Sequence, residues 1–530
     1  MPYDTFVLIA GGGPVGLSAA IELSWRGVPY VLVNDRPETA THPKCNNTNA
    51  RSMEHFRRLG IADELRAQGL PPDVERASAY VTRYSGYEFG RLPRPWSEWP
   101  TPEMPATISQ IVLERTLRDI AKSRPGADIR FGWKLESFAA DDDGVTADVM
   151  SAGGERRSIH ARYLIGADGA SSTVRKTLGF AMTGEDGTSP RVFMGGTMLS
   201  YYIHAPELTK VSGRTPAQMT FIINPELRAM MYAQDGGTRW VAHYQVPKGV
   251  EWKTLDPRAI VARMLGADVD FEIVSGGPWT GGLALVAEHY QQGRAFLAGD
   301  AAHLFTPLGG LGMNTGIGDV MNLCWKLAGV HDGWAGPALL DSYETERRPI
   351  GVRNVQLGVR CTRVMDGWRV SDAFEADTPA AAAERAALGA RAMVEDLPQY
   401  RTVGIQLGER YEGSPVVCAD GTTAPPDDFE VYTPLERPGA RAPHVWLSEG
   451  HALYDDFGAG FTLLDFGAPA VAAAFLQAAK RCALPLKVVT CEALPPYASR
   501  LVLVRPDQHV AWHGDSADDP GAILDRVRGA

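Results

Sequence analysis

Apolar runs and turn signals divide the chain into short strands and helices. Phe6 to Ala10 is a continuous apolar run of buried-strand length, the segment Leu17 to Arg26 reads as a helix, and Val28 to Val33 as a second strand. Tyr163 to Gly166 and Ala295 to Ala298 read as further buried strands. After Thr315, the positions Ile317, Val320, Met321, Leu323, Cys324 and Leu327 recur at helical spacing. The texture changes between about 185 and 285. Thr197 to Ile203, Met219 to Ile223, Met230 to Ala233 and Trp240 to Tyr244 are short and β-rich, with turns at Asn224-Pro225 and Asp235-Gly236-Gly237. That pattern predicts an inserted antiparallel sheet, one face of which borders an apolar pocket. A mainly helical stretch runs to about Met393, and 420–443 is rich in Pro, Gly and charge, as a linker would be. The tail alternates again. Strands are expected at Phe461 to Phe466, Leu486 to Thr490, Leu501 to Val504 and up to Trp512, with helices at Ala470 to Lys480 and Ala522 to Val527.

Glycines cluster where the apolar strands end. Gly11-Gly12-Gly13-Pro14-Val15-Gly16 lies between the first strand and its helix. Gly11, Gly13 and Gly16 form G-x-G-x-x-G in the strand–turn–helix setting of a dinucleotide-binding βαβ unit. Such glycines permit a tight turn and bring a pyrophosphate close to the helix start. Gly299-Asp300-Ala301-Ala302-His303 ends another strand, and Pro307-Leu308-Gly309-Gly310-Leu311-Gly312-Met313-Asn314 leads into the next helix. An aspartate there can hold a sugar hydroxyl, and the unpaired amides of the helix start suit an electron-rich ring. An ordinary glycine loop is the plainer reading. Asp168-Gly169 follows a third strand, alone a common turn dipeptide.

Composition narrows the function classes. A chain of 530 residues is too long for one small core, so two or three domains are expected. Its net charge of −11 argues against binding nucleic acid or acidic membranes. Neither a membrane-spanning apolar run nor a signal pattern is evident, so a cytoplasmic location is expected. The cysteines have no CxxC spacing and fit reduced thiols better than a disulfide or metal framework.

The three strand-end motifs, in this order, resemble those of the class A flavoprotein monooxygenases, the family of para-hydroxybenzoate, phenol and polyketide hydroxylases. The resemblance covers essentially the whole chain. It implies an α/β fold, with a Rossmann-like FAD-binding domain (1–184 and, with helices, 286–419) and an inserted antiparallel β-sheet substrate domain (185–285). The linker 420–443 would lead to a thioredoxin-like C-terminal domain at 444–530, structural or dimer-forming and, without CxxC, redox-silent. The cofactor implied is FAD, with NADPH or NADH as transient co-substrate and O2 as oxidant. Oxygen transfer would proceed through a flavin C4a-hydroperoxide to an electron-rich phenolic carbon. Baeyer–Villiger oxygenation, epoxidation or a reductase without oxygen transfer are the alternatives. A halogenase is disfavoured, since Trp96-Ser97-Glu98-Trp99-Pro100 lacks the spacing of its tryptophan motif.

The resemblance also assigns residues. Gly11, Gly13, Pro14, Val15 and Gly16 would hold the FAD pyrophosphate, and Gly299 and Asp300 the ribityl side. Arg51, in Arg51-Ser52-Met53-Glu54, would reach the phosphates, and Gln110 would lie near the cofactor. Asn34 stands where the family carries its ribose-binding acid, with Asp35 as the substitute. Asp168 and Arg175 would clamp each other and face the nicotinamide. Backbone amides of Gly310, Gly312, Met313 and Asn314 would stabilise negative flavin states, with Pro307 at the oxygen site. His303 reads as a packing residue rather than a base. Asn46 holds the place of a carboxylate that ionises the phenol in phenol hydroxylase, and an amide cannot act as a base. The expected substrate is therefore a substituted or polyhydroxylated aromatic, hydroxylated beside an existing hydroxyl. Tyr201, Tyr232, His243 and Tyr244 are candidates to take its proton.

Overall fold

The apolar run near the N-terminus forms strand Thr5–Ala10 of an eight-stranded sheet in this computed structural model. The structure describes residues 3–71, 74–94, 98–184, 191–192, 198–247, 249–279 and 283–530. Thr197, Trp96 and Ser97, singled out above, lie outside the described residues. Thr5–Ala10 pairs in parallel with Tyr30–Asn34 and with Arg156–Gly166, and the latter pairs in parallel with Ala295–Leu297. Both faces of these strands are covered, which explains continuous apolar runs instead of alternation. Helix Pro14–Trp25 packs along helix Gly312–His331 on this sheet. Leu8, Ile9, Leu17, Ile21, Val320 and Leu323 share its core with no exposed surface. Burying each such side chain contributes roughly 1.5–3 kcal/mol. Pro14 opens its helix, where a missing N–H costs nothing.

The inserted sheet has seven strands, in the order Glu272–Trp279, Met198–His204, Arg239–Gln245, Arg228–Ala233, Ala217–Ile223, Glu75–Val81 and Glu88–Pro93. The expected runs after Met198 are all strands. The segment 185–285 does not build this sheet alone, however. Glu75–Val81 joins it by parallel pairing with Ala217–Ile223, and Glu88–Pro93 forms its edge. Ala77, Ala79 and Val81 face one core, shared with helix Pro257–Leu265, while Tyr80 faces another, shared with helix Pro379–Glu395. Cover on both sides erases the polar–apolar alternation that would have marked 75–81 as a strand.

The tail forms a four-stranded sheet in the order Leu486–Thr490, Phe461–Asp465, Leu501–Val504, Val510–Gly514. Its first pair is parallel and the others antiparallel, with helices Pro469–Arg481 and Pro520–Val527 packed on it, a thioredoxin-like order. All of its cysteines are unpaired thiols. Among the described residues no helix is long and apolar enough to cross a membrane.

Candidate cofactor and substrate site

Ala10, Gly166 and Leu297 end neighbouring parallel strands at one edge of the large sheet. The loops that follow them line a cavity of about 790 Å³, which continues onto one face of the inserted sheet. Parallel sheets bind ligands at this carboxyl edge.

The glycines of the first loop divide their work. A Cβ on Gly11 would stand 2.2 Å from the Ala167 carbonyl oxygen, and one on Gly16 would stand 1.9 Å from that of Gly11. These two allow the loop to close against its neighbours. A Cβ on Gly13 would meet nothing within 4 Å, so the backbone there borders the cavity unshielded, beside Pro14 and Val15. The unpaired amides of the helix start lie at this point, a ready place for a pyrophosphate.

Asn34 donates to the Arg36 carbonyl at 3.1 Å and accepts from the Gly12 N–H at 2.9 Å. Its carbonyl oxygen is thus spent on the glycine loop, and Asp35 is the exposed carboxylate at the cavity edge. Gln110 accepts from the Lys44 N–H at 2.8 Å and Glu114 from that of Ala40 at 2.8 Å, which holds the 40–46 loop along the cavity wall. Asn46, in that loop, is buried with its Nδ2 unpartnered. Cys45 lies beside it, its thiol pushed up to about 12 by burial and by the Glu114 and Asp300 charges.

Asp300 faces the cavity from the second strand end. Asp300 is exposed, but only to this cavity, and the surrounding protein raises its carboxyl pKa by withholding solvent, against the opposing pull of His303 and Lys44. His303 is fully buried and bonds Asp319 at 2.7 Å, where Arg347 also donates at 2.9 Å. It packs, as expected. Pro307, Gly310, Gly312 and Met313 border the cavity. Gly310 has φ +62°, and a Cβ there would press on Asn47 at 2.8 Å.

On the sheet side, Tyr232 and His243 line the cavity with Met219, Arg94, Trp279 and Tyr400. His243 stacks on Trp279 at 4.4 Å and meets Tyr232 edge-on at 5.4 Å. Burial drives the His243 pKa down to about 3, so its ring is neutral, and pushes the Tyr232 phenol up. Tyr201 and Tyr244 fall on the opposite face, inside the core under helix Pro257–Leu265, and so drop out as proton acceptors. Arg94, Trp279 and Tyr400 were missed from sequence. Arg94 follows an edge strand that carries no strand signature, and Tyr400 follows a short 3-10 turn, Leu397–Gln399.

Residues 4–357 match the family described as "FAD binding domain", and residues 435–530 match "Aromatic-ring hydroxylase, C-terminal". The chain belongs to the FAD-dependent aromatic-ring hydroxylases. It is 34% identical to the FAD-dependent monooxygenase apdD of Emericella nidulans, over 96% of this chain and 87% of that protein. It is also 34% identical to the Tetracenomycin B2 monooxygenase-dioxygenase of Streptomyces olivaceus, over 98% and 97% of the two chains. The solved structure of the rebeccamycin biosynthetic enzyme RebC with reduced flavin superposes with a TM-score of 0.90 at 36% identity, over 100% of both chains.

This hydroxylase departs from three of the expected assignments. Arg51 does not border the cavity: its guanidinium bonds Glu54 at 2.7 Å, Gln508 at 2.7 Å and the Asp507 carbonyl at 2.5 Å, which ties it to the tail. Asp168 and Arg175 do not clamp each other. Asp168 accepts from the Ser172 hydroxyl and from the Thr173 and Val174 N–H groups, so it caps helix Thr173–Thr177 beside the cavity, while Arg175 donates to the Phe180 carbonyl at 3.1 Å. Asn314 lies behind the cavity wall as a joint. It donates to the Asn47 and Gly310 carbonyls at 3.0 and 2.7 Å and accepts from the Asn49 N–H and the Ser52 hydroxyl at 2.9 and 2.8 Å. Arg51 and Asn314 are held mainly by neighbours that the tertiary fold brings together, whereas Asp168 and Arg175 bond within their own stretch of chain.

Proposed function

We propose that this FAD-dependent hydroxylase uses NAD(P)H and O2 to hydroxylate a phenolic or polycyclic aromatic ring held between the Pro307–Met313 loop and the sheet face carrying Tyr232, His243 and Trp279. The observation that carries this reading is a single cavity running from the bare backbone at Gly13 to that aromatic face. One relative is named for tetracenomycin B2. Bound FAD supplies the electron transfer from NAD(P)H and the activation of O2.

The protein's part is position, electrostatics and exclusion of water. Gly13, Pro14 and Val15 would receive the pyrophosphate at the helix start, Asp35 and the second amide N–H of Asn34 the ribose, and Asp300 a ribityl hydroxyl. The amides from Gly310 to Met313 would face the electron-rich ring system, with Pro307 at the oxygen side. Asp168 would shape the surface offered to the nicotinamide by fixing the helix it caps. Asn46, His243 and Tyr232 would surround the reacting ring. A cytoplasmic enzyme, dimerising through its tail, completes the reading.

The test is NADPH and NADH oxidation across a panel of phenols and polycyclic aromatics, with O2 uptake followed and labelled oxygen sought in the product. A hydroxylated product carrying the label is expected. Turnover without labelled product points to a reductase, and a ring-expanded lactone to Baeyer–Villiger chemistry.

A further inference from the structure

Glu346 and Arg347 are buried neighbours in helix Ala338–Asp366, and they face two parts of the molecule at once. Glu346 accepts from Arg505 of the tail. Arg347 turns to the cofactor loops. Its Nε donates to Asp319 Oδ1 at 2.9 Å. Asp319 Oδ2 in turn accepts from the Gly299 N–H at 3.1 Å and bonds His303 at 2.7 Å, so this acid grips the loop that carries Asp300 at both ends. Arg347 Nη2 donates to the Thr315 carbonyl at 3.2 Å, in the first turn of helix Gly312–His331, whose start borders the cavity. That helix leaves a place for the guanidinium: a Cβ on Gly318 would stand 2.7 Å from Arg347 Nη2. A glycine inside a helix is destabilising relative to alanine, and here it clears the space that Arg347 fills. The remaining nitrogen is held from the tail side. Nη1 donates to Glu409 at 2.7 Å and to the Tyr411 hydroxyl at 3.4 Å. The Tyr411 ring lies 4.2 Å from that of His509 and 5.0 Å from the Arg505 guanidinium, both of the tail.

We propose that Arg347 is a positioning residue for FAD, acting through Asp319 on the Gly299–Asp300 loop, and that the tail holds Arg347 in place through Tyr411 and Glu346. The proposal rests on the reading of Asp300 as a ribityl contact. Among the described residues no tail residue borders the cavity, so the tail serves the cofactor at a distance. Its means is a contiguous set of bonded and packed side chains: His509 and Arg505 on Tyr411, Tyr411 and Glu409 on Arg347, Arg347 on Asp319, Asp319 on Gly299. Every charge in it is buried and paired, so no member can shift without leaving a partner unmatched. The planar guanidinium suits this place, because three acceptors are met from one rigid fork. A redox-silent tail thereby has a part in the chemistry: it keeps the turn that presents Asp300 in one position.

Three variants of the holoenzyme test this: Gly318→Ala, which crowds the guanidinium, Arg347→Lys, which keeps the charge without the fork, and His509→Leu, which removes the tail's ring from Tyr411. Flavin fluorescence on dilution gives the FAD Kd, the visible spectrum of bound flavin reports its surroundings, and melting temperature in saturating FAD reports folding separately. Each variant is expected to raise the Kd by about tenfold, the size of one lost hydrogen bond, and to shift the visible band. Gly318→Ala should do so although alanine is the better helix former, an outcome that a merely structural Arg347 does not produce. Combining His509→Leu with Arg347→Lys should weaken FAD no further than Arg347→Lys alone, because both changes act through one side chain. If Arg347→Lys folds poorly, Gly318→Ala and its combination with His509→Leu carry the same comparison. A native Kd and spectrum in Gly318→Ala and Arg347→Lys, with only the melting temperature lowered, overturn the positioning role. A native Kd in His509→Leu, or losses that multiply in the combined variant, overturn the tail's part. Asp300→Ala, measured beside them, judges the ribityl reading independently. An unchanged Kd there, with the other variants weakened, breaks that reading and leaves the path from the tail standing.

Discussion

Arg505 donates to both oxygens of Glu346, at 2.6 and 2.8 Å, with neither side chain reaching solvent. Arg505 belongs to the tail and Glu346 to helix Ala338–Asp366 of the main body. Lys326 donates to Glu346 at 2.7 Å, the Ser414 hydroxyl at 2.6 Å, and Asp507 takes the other side of Arg505 at 2.7 Å. Burying so many charges is tolerable only because each has its partner. The tail is therefore fastened to the body by this cluster.

Arg505→Met removes one member and strands Glu346 in the interior. A loss on the order of 3–5 kcal/mol is expected, read as a large drop in melting temperature. Cys482→Ser and Cys491→Ser should leave both melting temperature and turnover near native, since neither thiol forms a disulfide. Equal damage from the cysteine changes would contradict a structural, redox-silent tail.

Asp300→Ala removes the carboxylate at the second strand end. If Asp300 holds a ribityl hydroxyl, FAD affinity should weaken by about 2 kcal/mol, roughly thirtyfold in Kd. Flavin fluorescence on dilution of the holoprotein measures it. An unchanged Kd removes Asp300 from the cofactor site.

Arg51→Met separates two readings of one residue. Its guanidinium holds Gln508 and the Asp507 carbonyl, so the change should lower the melting temperature while FAD affinity moves little. A strong loss of FAD with a native melting temperature would restore the phosphate-binding role that the motif suggested.

Arg51 also shows what the sequence could not tell. The glycine loops, the strands that enter them and Asp300 were legible, because close approach and strand–turn–helix order leave marks in local sequence. Glu75–Val81 was not, because cover on both faces removes alternation. The tail partners of Arg51 are 456 and 457 residues away, and the Asn47, Asn49 and Ser52 partners of Asn314 more than 260, so no window of sequence contains them. Asp168 is within six residues of all its partners, yet the choice between capping a helix and pairing with Arg175 depends on a turn that spacing alone leaves open. Tyr400, which reaches the cavity from a turn after a surface helix, carries no local mark at all.

Acid should undo the tail's attachment first. Arg441 and Arg51 hold the Glu54 carboxyl down to about 2, and the Arg505 cluster holds Glu346 and Asp507 well below the ordinary range. A depressed carboxylate pKa adds stability that is fully present above the unfolded value and lost as pH falls through the folded one. Unfolding free energy should therefore decline steadily from about pH 5 toward pH 2. Glu54→Gln should start lower at neutral pH and decline less steeply. Denaturant melts at several pH values check this, and parallel curves for both proteins would remove Glu54 from the acid response.

Asn46 supplies the last prediction. It is 8% exposed, lines the cavity, and its Nδ2 has no partner, so the side chain is oriented by something other than protein hydrogen bonds. An amide there cannot take a phenol's proton, and His243, neutral above a pH of about 3, is uncharged throughout the assay range. If Asn46 borders the reacting ring, Asn46→Asp introduces a proton acceptor on the loop side of the substrate. Product formation should then gain a new pH dependence, and the ratio of product to hydrogen peroxide should change, while FAD binding stays near native. His243→Gln should alter that ratio without moving the pH profile. Steady-state rates, product and peroxide, followed across pH for the three proteins, decide the matter. If plain phenol is the best substrate and Asn46→Asp leaves both the profile and the ratio unchanged, the 40–46 loop lies away from the reacting ring and this placement of the substrate is wrong.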